Sequence, residues 1–139
     1  ASLSRRSNRQ VFRRGFVPRR GFVITVGNVV SGAGDTSVPR RRRLITDHED
    51  VHVWQARWFG PLYPILYGAW MVVGGAAGMV LWATRRRSDG FAEVVESCAY
   101  YLNPFEWWAY SRDGHWPPSG KVRGLGWRTP MVRPLRRHA

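Results

Sequence analysis

Cysteine, lysine and acidic residues are scarce in this sequence. A single cysteine, Cys98, excludes an internal disulfide, and its apolar helical context predicts a packed, inert thiol. Nine acidic residues stand against 22 basic ones, all but one of them arginine, for a formal net charge of +13 over 139 residues. No nucleic-acid reading motif accompanies this charge, so a nucleic-acid partner is not expected. Residues 1–20 also lack the apolar core of a secretory signal.

The pattern H-E-x-x-H is present at His48, Glu49 and His52. On a helix, two histidines four residues apart project from one face, where neutral imidazoles bind Zn²⁺ at about 2.0–2.1 Å. The glutamate between them can take a proton from a zinc-bound water. A simpler hypothesis is a capping box of Thr46 and Glu49, which leaves the histidines as surface residues.

Three runs together resemble a family of small, membrane-associated bacterial zincin-like proteins with the pattern HExxHxxQ, GP and NPFExxAY. The runs are His48 to Gln55, then Gly60-Pro61 with Tyr67, then Asn103 to Glu106 with Ala109-Tyr110. The resemblance covers about residues 22–110 and implies zinc ligands at His48, His52 and Glu106, with Glu49 as general base. It implies that Gln55 either supports a ligand or faces the substrate. Two tryptophans inside the second motif and the arginine-rich ends depart from the family's pattern.

Glu106 has a second interpretation, because Asn103 and Pro104 form a good helix start and Glu106 at the third position completes a capping box. A cap and a metal ligand are compatible roles. Four other residues are weaker candidates for the third ligand: Glu93, Glu96, Asp113 and His115.

The order of segments predicts an α+β, mainly helical fold. We expect a basic arm over residues 1–21, a zincin-like membrane-associated domain over 22–110 and an extended basic tail over 111–139 that becomes ordered only on a partner. Within the domain, residues 22–30 predict a short β-hairpin that turns at Gly27-Asn28. The motif helix should begin at Leu44 or Thr46 and run to Trp58, and a second helical region should follow Asp89.

Residues 62–84 are free of charge over 23 positions, which is enough for a helix to cross a bilayer core. Arg85-Arg86-Arg87 ends the run, aromatic residues flank it, and Gly74-x-x-x-Gly78 allows another helix to approach closely. We therefore predict a membrane helix, in a bacterial inner membrane. Basic residues on both sides leave its orientation open.

A single complete crossing would place His48 and His52 on one side of the membrane and Glu106 on the other. The metal site then requires a re-entrant segment that folds back near Gly74-Gly75, a site within the membrane depth, or a half-buried helix lying against a partner.

Two functions fit these features. The favoured hypothesis is an accessory subunit of a membrane complex that carries a zinc-binding motif, with its arginine-rich ends on other subunits or anionic lipid. The alternative is a membrane-bound zinc metallopeptidase acting near the bilayer surface. Only Tyr110, Arg112 and His115 are candidate oxyanion donors, and none of them lies in a specific motif.

Overall fold

The computed structural model describes residues 2–4, 9–17, 22–84 and 89–134. The fold is α+β and mainly helical, as predicted. Contacts divide the chain into two compact units, residues 1–61 and 62–139, a boundary that falls inside the predicted domain of residues 22–110. The predicted arginine run at 85–87 lies outside the described residues.

The first unit opens with a four-stranded sheet in the order β1-β2-β4-β3. The strands are β1 (Ser2–Ser4), β2 (Arg9–Phe12), β3 (Ile24–Val26) and β4 (Val29–Ser31). Strands β3 and β4 form the predicted antiparallel hairpin, and Gly27 takes a positive φ of 58° at its turn. Strand β2 pairs parallel with β4 and antiparallel with β1, so two strands within the predicted basic arm belong to the sheet.

One helical stretch follows the sheet. It consists of α1 (Pro39–Arg43), a π-helical turn (Leu44–His48) and α2 (Glu49–Phe59). The arginine run that was predicted to precede the motif helix lies in α1 and therefore forms the first turn of this helical stretch. Thr46 lies inside the stretch, where it cannot act as an N-cap. The Arg41 guanidinium donates to the carbonyls of Gly32 and Ala33, which ties α1 to the end of the sheet. Buried apolar residues form the core of this unit: Val30, Ala33, Ile45 and Val53.

The second unit begins with α3 (Leu62–Thr84), a continuous helix of 23 residues. Pro64 is accommodated in its first turn, where the missing amide hydrogen costs nothing, and the helix does not break at Gly74-Gly75. The re-entrant alternative is therefore wrong. α3 is long and apolar enough to cross a membrane, and only 11% of its most apolar window is buried.

The chain after α3 returns along it through α4 (Phe91–Glu96), a π-helical turn (Ser97–Tyr101) and α5 (Pro104–Arg112). From the end of α3 toward its start, the contacts with the returning chain are Trp82 with Phe91, Gly78 with Val95, Gly74 with Cys98 and Tyr67 with Glu106. The small residues Gly74 and Gly78 thus serve a helix contact within the chain. Since Tyr67 is about 7.5 Å from the start of α3, the return brings Glu106 to the first third of this helix.

Beyond Arg112, the described residues have no regular secondary structure, yet they pack on their own unit. Val122 and Leu125 join Val94 and Cys98 in a buried cluster, which confirms the packed role of the cysteine. The rings of Trp127 and Trp107 stack with centroids 4.5 Å apart. The prediction that this tail becomes ordered only on a partner is wrong for residues 113–134, because aromatic and aliphatic side chains spaced among the arginines supply a core contact.

Candidate metal centre

The two motif histidines lie in adjacent turns, His48 at the end of the π-helical turn and His52 in α2. Their Nε2 atoms are 3.3 Å apart and their rings meet edge to face, with an interplanar angle of 78°. Two nitrogens bound tetrahedrally to zinc at about 2.0–2.1 Å would be separated by about 3.3 Å. The spacing therefore matches two ligands of one ion. A single N–H···N hydrogen bond accounts for the same distance when no ion is bound.

Gln55 sets the orientation of His52. Its amide oxygen lies 2.9 Å from His52 Nδ1, and the Gln55 side chain is fully buried. With Nδ1–H donating to Gln55, a neutral His52 offers the lone pair of Nε2 toward His48. This bond is the contact expected of a residue that supports a metal ligand, which is one of the two roles predicted for Gln55.

Glu49 is fixed from the sheet. The hydroxyl of Thr25, on β3, donates a hydrogen bond of 2.5 Å to Glu49 Oε2, and the Glu49 side chain is buried. The capping-box interpretation of Thr46 is wrong, because the Thr46 hydroxyl donates to Asp47. One oxygen of Glu49 is thus held while the carboxylate lies within one turn of both histidines.

Glu106 enters its position from the first turn of α5. Asn103 caps that helix by accepting from the amide of Phe105, as predicted, and Glu106 Oε1 accepts a 2.7 Å hydrogen bond from the Tyr67 hydroxyl. The backbone amide of Asn103 donates to the Tyr100 carbonyl. Glu106 therefore does not complete the capping box, and its carboxylate is directed into the protein.

The charge of this carboxylate acts on two partly buried tyrosines, Tyr101 and Tyr110. Burial raises the pKa of Tyr110, and the negative charge of Glu106 raises it further. Burial likewise raises the pKa of Tyr101, with smaller effects from Glu96 and Glu106. Both phenols stay neutral near pH 7, so they add no negative charge beside Glu106.

His48, His52 and Glu106 form a buried group that can hold a metal ion. One ligand atom from each residue lies within 4.8 Å of the others. Two histidines and a carboxylate suit Zn²⁺, and a set of three protein ligands is typical of catalytic zinc. Within the described residues, none of the weaker candidates Glu93, Glu96, Asp113 and His115 belongs to this group.

The three candidate oxyanion donors have other surroundings. Arg112 donates to the carbonyl of Arg133, and His115 pairs with Asp113 at 3.1 Å. Tyr110 is mostly buried near Glu106. The sequence analysis gave Tyr67 no role at the metal centre and overlooked Thr25. Tyr67 was part of the quoted pattern, whereas a threonine 24 positions before Glu49 gives no local signal.

No protein-family model, curated protein or solved structure matches this chain. The resemblance to the bacterial zincin-like family therefore stays a prediction, carried by the residues quoted for it.

Proposed function

We propose that the protein is a membrane-anchored zinc hydrolase of the metallopeptidase type. The observation that carries this proposal is the buried group of His48, His52 and Glu106, whose ligand atoms lie within 4.8 Å of one another. Glu49, between the two histidines in sequence, supplies the carboxylate that such chemistry requires.

Each side chain has a distinct role in this proposal. His48, His52 and Glu106 would hold Zn²⁺, which when bound lowers the pKa of a coordinated water toward neutrality and polarises a carbonyl. Glu49 would accept the proton of that water on Oε1, because Thr25 already donates to Oε2. Gln55 keeps the Nε2 lone pair of His52 available by accepting from Nδ1.

α3 is the proposed anchor, in a bacterial inner membrane. Its 23 residues extend about 35 Å, slightly more than a hydrocarbon core of about 30 Å. Leucine, isoleucine and valine side chains are exposed along it, among them Leu62, Ile65, Val72, Val73 and Val80. Exposure of this kind is costly in water and favourable in lipid. Exposed arginines of α1 precede the helix and suit anionic headgroups.

A second candidate is an accessory subunit of a membrane complex with a structural metal. The observation in its favour is burial, since no side chain among His48, Glu49, His52 and Glu106 is more than 6% exposed. A peptide would need an opening to reach such a site. The arginine-rich tail no longer supports this candidate, because its described part packs on its own unit.

Zinc analysis combined with hydrolysis assays tests the proposal. Purified full-length protein in lipid nanodiscs should hold one zinc per chain, and His52→Ala should lose it while His115→Ala, at an exposed histidine, retains it. Glu49→Gln should keep zinc but lose cleavage of a fluorogenic peptide library, and the neighbouring Asp50→Asn should keep both. Wild-type protein without zinc would contradict the metal site. Stoichiometric zinc without any cleavage would support the accessory subunit.

A further inference from the structure

Tyr67 has no role in the function proposed above, yet it contacts the candidate metal ligand Glu106. It lies on α3, whereas Glu106 lies on α5, and both belong to the second unit. Its hydroxyl donates to Glu106 Oε1 at 2.7 Å, a short, charge-assisted bond. A helix proposed as a passive anchor thus reaches the metal centre through one side chain.

Aromatic packing fixes where this hydroxyl sits. The Tyr67 ring stacks on Phe105 at an interplanar angle of 18°, with centroids 6.1 Å apart, and the Tyr63 ring meets Phe105 edge to face at 5.0 Å. Phe105 directly precedes Glu106 in the first turn of α5. The same two tyrosines therefore hold the backbone that carries the ligand.

The chemistry of a buried carboxylate explains why such a donor is needed. Glu106 is only 3% exposed, and a buried carboxylate requires hydrogen bonds or a cation to remain charged. A donor on one oxygen limits the rotation of the Glu106 side chain, so that the carboxylate can coordinate in one orientation. Donors of this kind tune metal affinity in zinc proteins.

We propose that Tyr67 is a positioning residue that holds Glu106 for metal binding and so couples α3 to the occupancy of the site. This inference rests on the metal site proposed above. It predicts that loss of one hydroxyl on the membrane helix weakens zinc binding while the helix packing is kept.

Tyr67→Phe tests this directly, because it removes the hydroxyl and keeps the ring that stacks on Phe105. In full-length protein in nanodiscs, competition with a chelator should show zinc bound about 10- to 100-fold more weakly. The visible spectrum of the Co²⁺-substituted protein should change with it, since that spectrum reports the ligand geometry.

Trp70→Phe is the matched control on the same helix. It removes the hydrogen bond from Trp70 Nε1 to the Cys98 carbonyl, which joins α3 to the π-helical turn without contacting Glu106. Its zinc affinity should stay within about twofold of wild type, a change well below the effect of a ligand-supporting group. Equal losses in both variants would mean that packing alone matters and would overturn the proposal.

A double-mutant cycle separates this inference from the proposed function. In a Glu106→Gln background, Tyr67→Phe should cause no further loss of zinc affinity, because the ligand it positions is gone. Wild-type protein that binds zinc with Tyr67→Phe unchanged would overturn the role of Tyr67 alone. Wild-type protein that binds no zinc would overturn both proposals.

Discussion

α2 and α3 have opposite patterns of burial. α2 buries Glu49, His52 and Gln55 and exposes Trp54 and Trp58, whereas α3 buries little besides one tyrosine and two glycines and exposes most of its aliphatic side chains. In water, either pattern would be unfavourable. Specific hydrogen bonds satisfy buried polar residues of α2, from Thr25 on β3 to Glu49 and between His52 and Gln55. α3 is instead long and apolar enough to cross a membrane.

The two helices are predicted by different features of the sequence. The residue range of α3 follows from composition alone, since 23 consecutive uncharged and mostly apolar residues predict one long helix. The role proposed for α2 depends on individual side chains at fixed spacing, which the mean hydropathy of the helix does not reveal. Substitutions in one helix that leave the other unchanged therefore test this difference between α2 and α3.

The largest effect is expected from a charge on the exposed face of α3. Val72 is 74% exposed, and Val72→Asp should cost about 2.5–3.5 kcal/mol of membrane insertion if this face contacts lipid. The fraction of protein that resists carbonate extraction should fall accordingly. Val26→Asp, at a valine of β3 that is 67% exposed, should leave that fraction unchanged. If Val72→Asp remains fully membrane-bound, the exposed face of α3 does not lie in the hydrocarbon core.

A smaller loss is expected where α3 meets the returning chain. A methyl group on Gly74 would lie 2.5 Å from the Cys98 carbonyl oxygen, so Gly74→Ala should lower the free energy of unfolding by about 1–3 kcal/mol. Gly68→Ala has open space around the new methyl group and should be neutral or stabilising by up to about 1 kcal/mol. Denaturant unfolding in detergent micelles measures both. A stable Gly74→Ala would show that the two segments are not in close contact.

On α2, the support of His52 can be removed without changing a ligand. Gln55→Leu keeps a similar volume but loses the bond to His52 Nδ1, so zinc affinity should fall about 10- to 100-fold. The same substitution at Gln10, which is exposed on β2, should have no effect on zinc. Chelator competition provides the measurement. Equal affinities for Gln55→Leu and wild type would return Gln55 to the substrate-facing role that the sequence also allowed.

The sequence predicted features that depend on local patterns. The hairpin turn at Gly27, the cap at Asn103 and the span of α3 each follow from neighbouring residues. Among features that join distant residues, the grouping of Glu106 with the two histidines was expected only from the resemblance, and two hydrogen bonds were missed. The bond from Thr25 to Glu49 joins positions 24 residues apart, and the one from Tyr67 to Glu106 joins positions 39 apart.

The tail shows why composition misled the prediction. Arginine, glycine and proline dominate residues 111–134, which is typical of a segment that does not fold alone. A few isolated apolar residues nevertheless supply the contacts, because Val122 and Leu125 are buried and Trp127 stacks on Trp107. Periodicity cannot reveal such a segment, since its contacts follow the shape of the helices it covers.

The smallest expected effect concerns this packing of the tail. Trp127 stacks on Trp107 at an interplanar angle of 10° and donates from Nε1 to the Leu102 carbonyl at 3.0 Å. Trp127→Phe loses the hydrogen bond and part of the stack, so the free energy of unfolding should fall by about 0.5–1.5 kcal/mol. Trp58→Phe, at a highly exposed tryptophan of α2, should change it by less than about 0.5 kcal/mol. Unfolding followed by near-ultraviolet circular dichroism compares the two. If both variants unfold like wild type, the tail does not pack on its own unit, and the partner surface first expected for it becomes the better explanation.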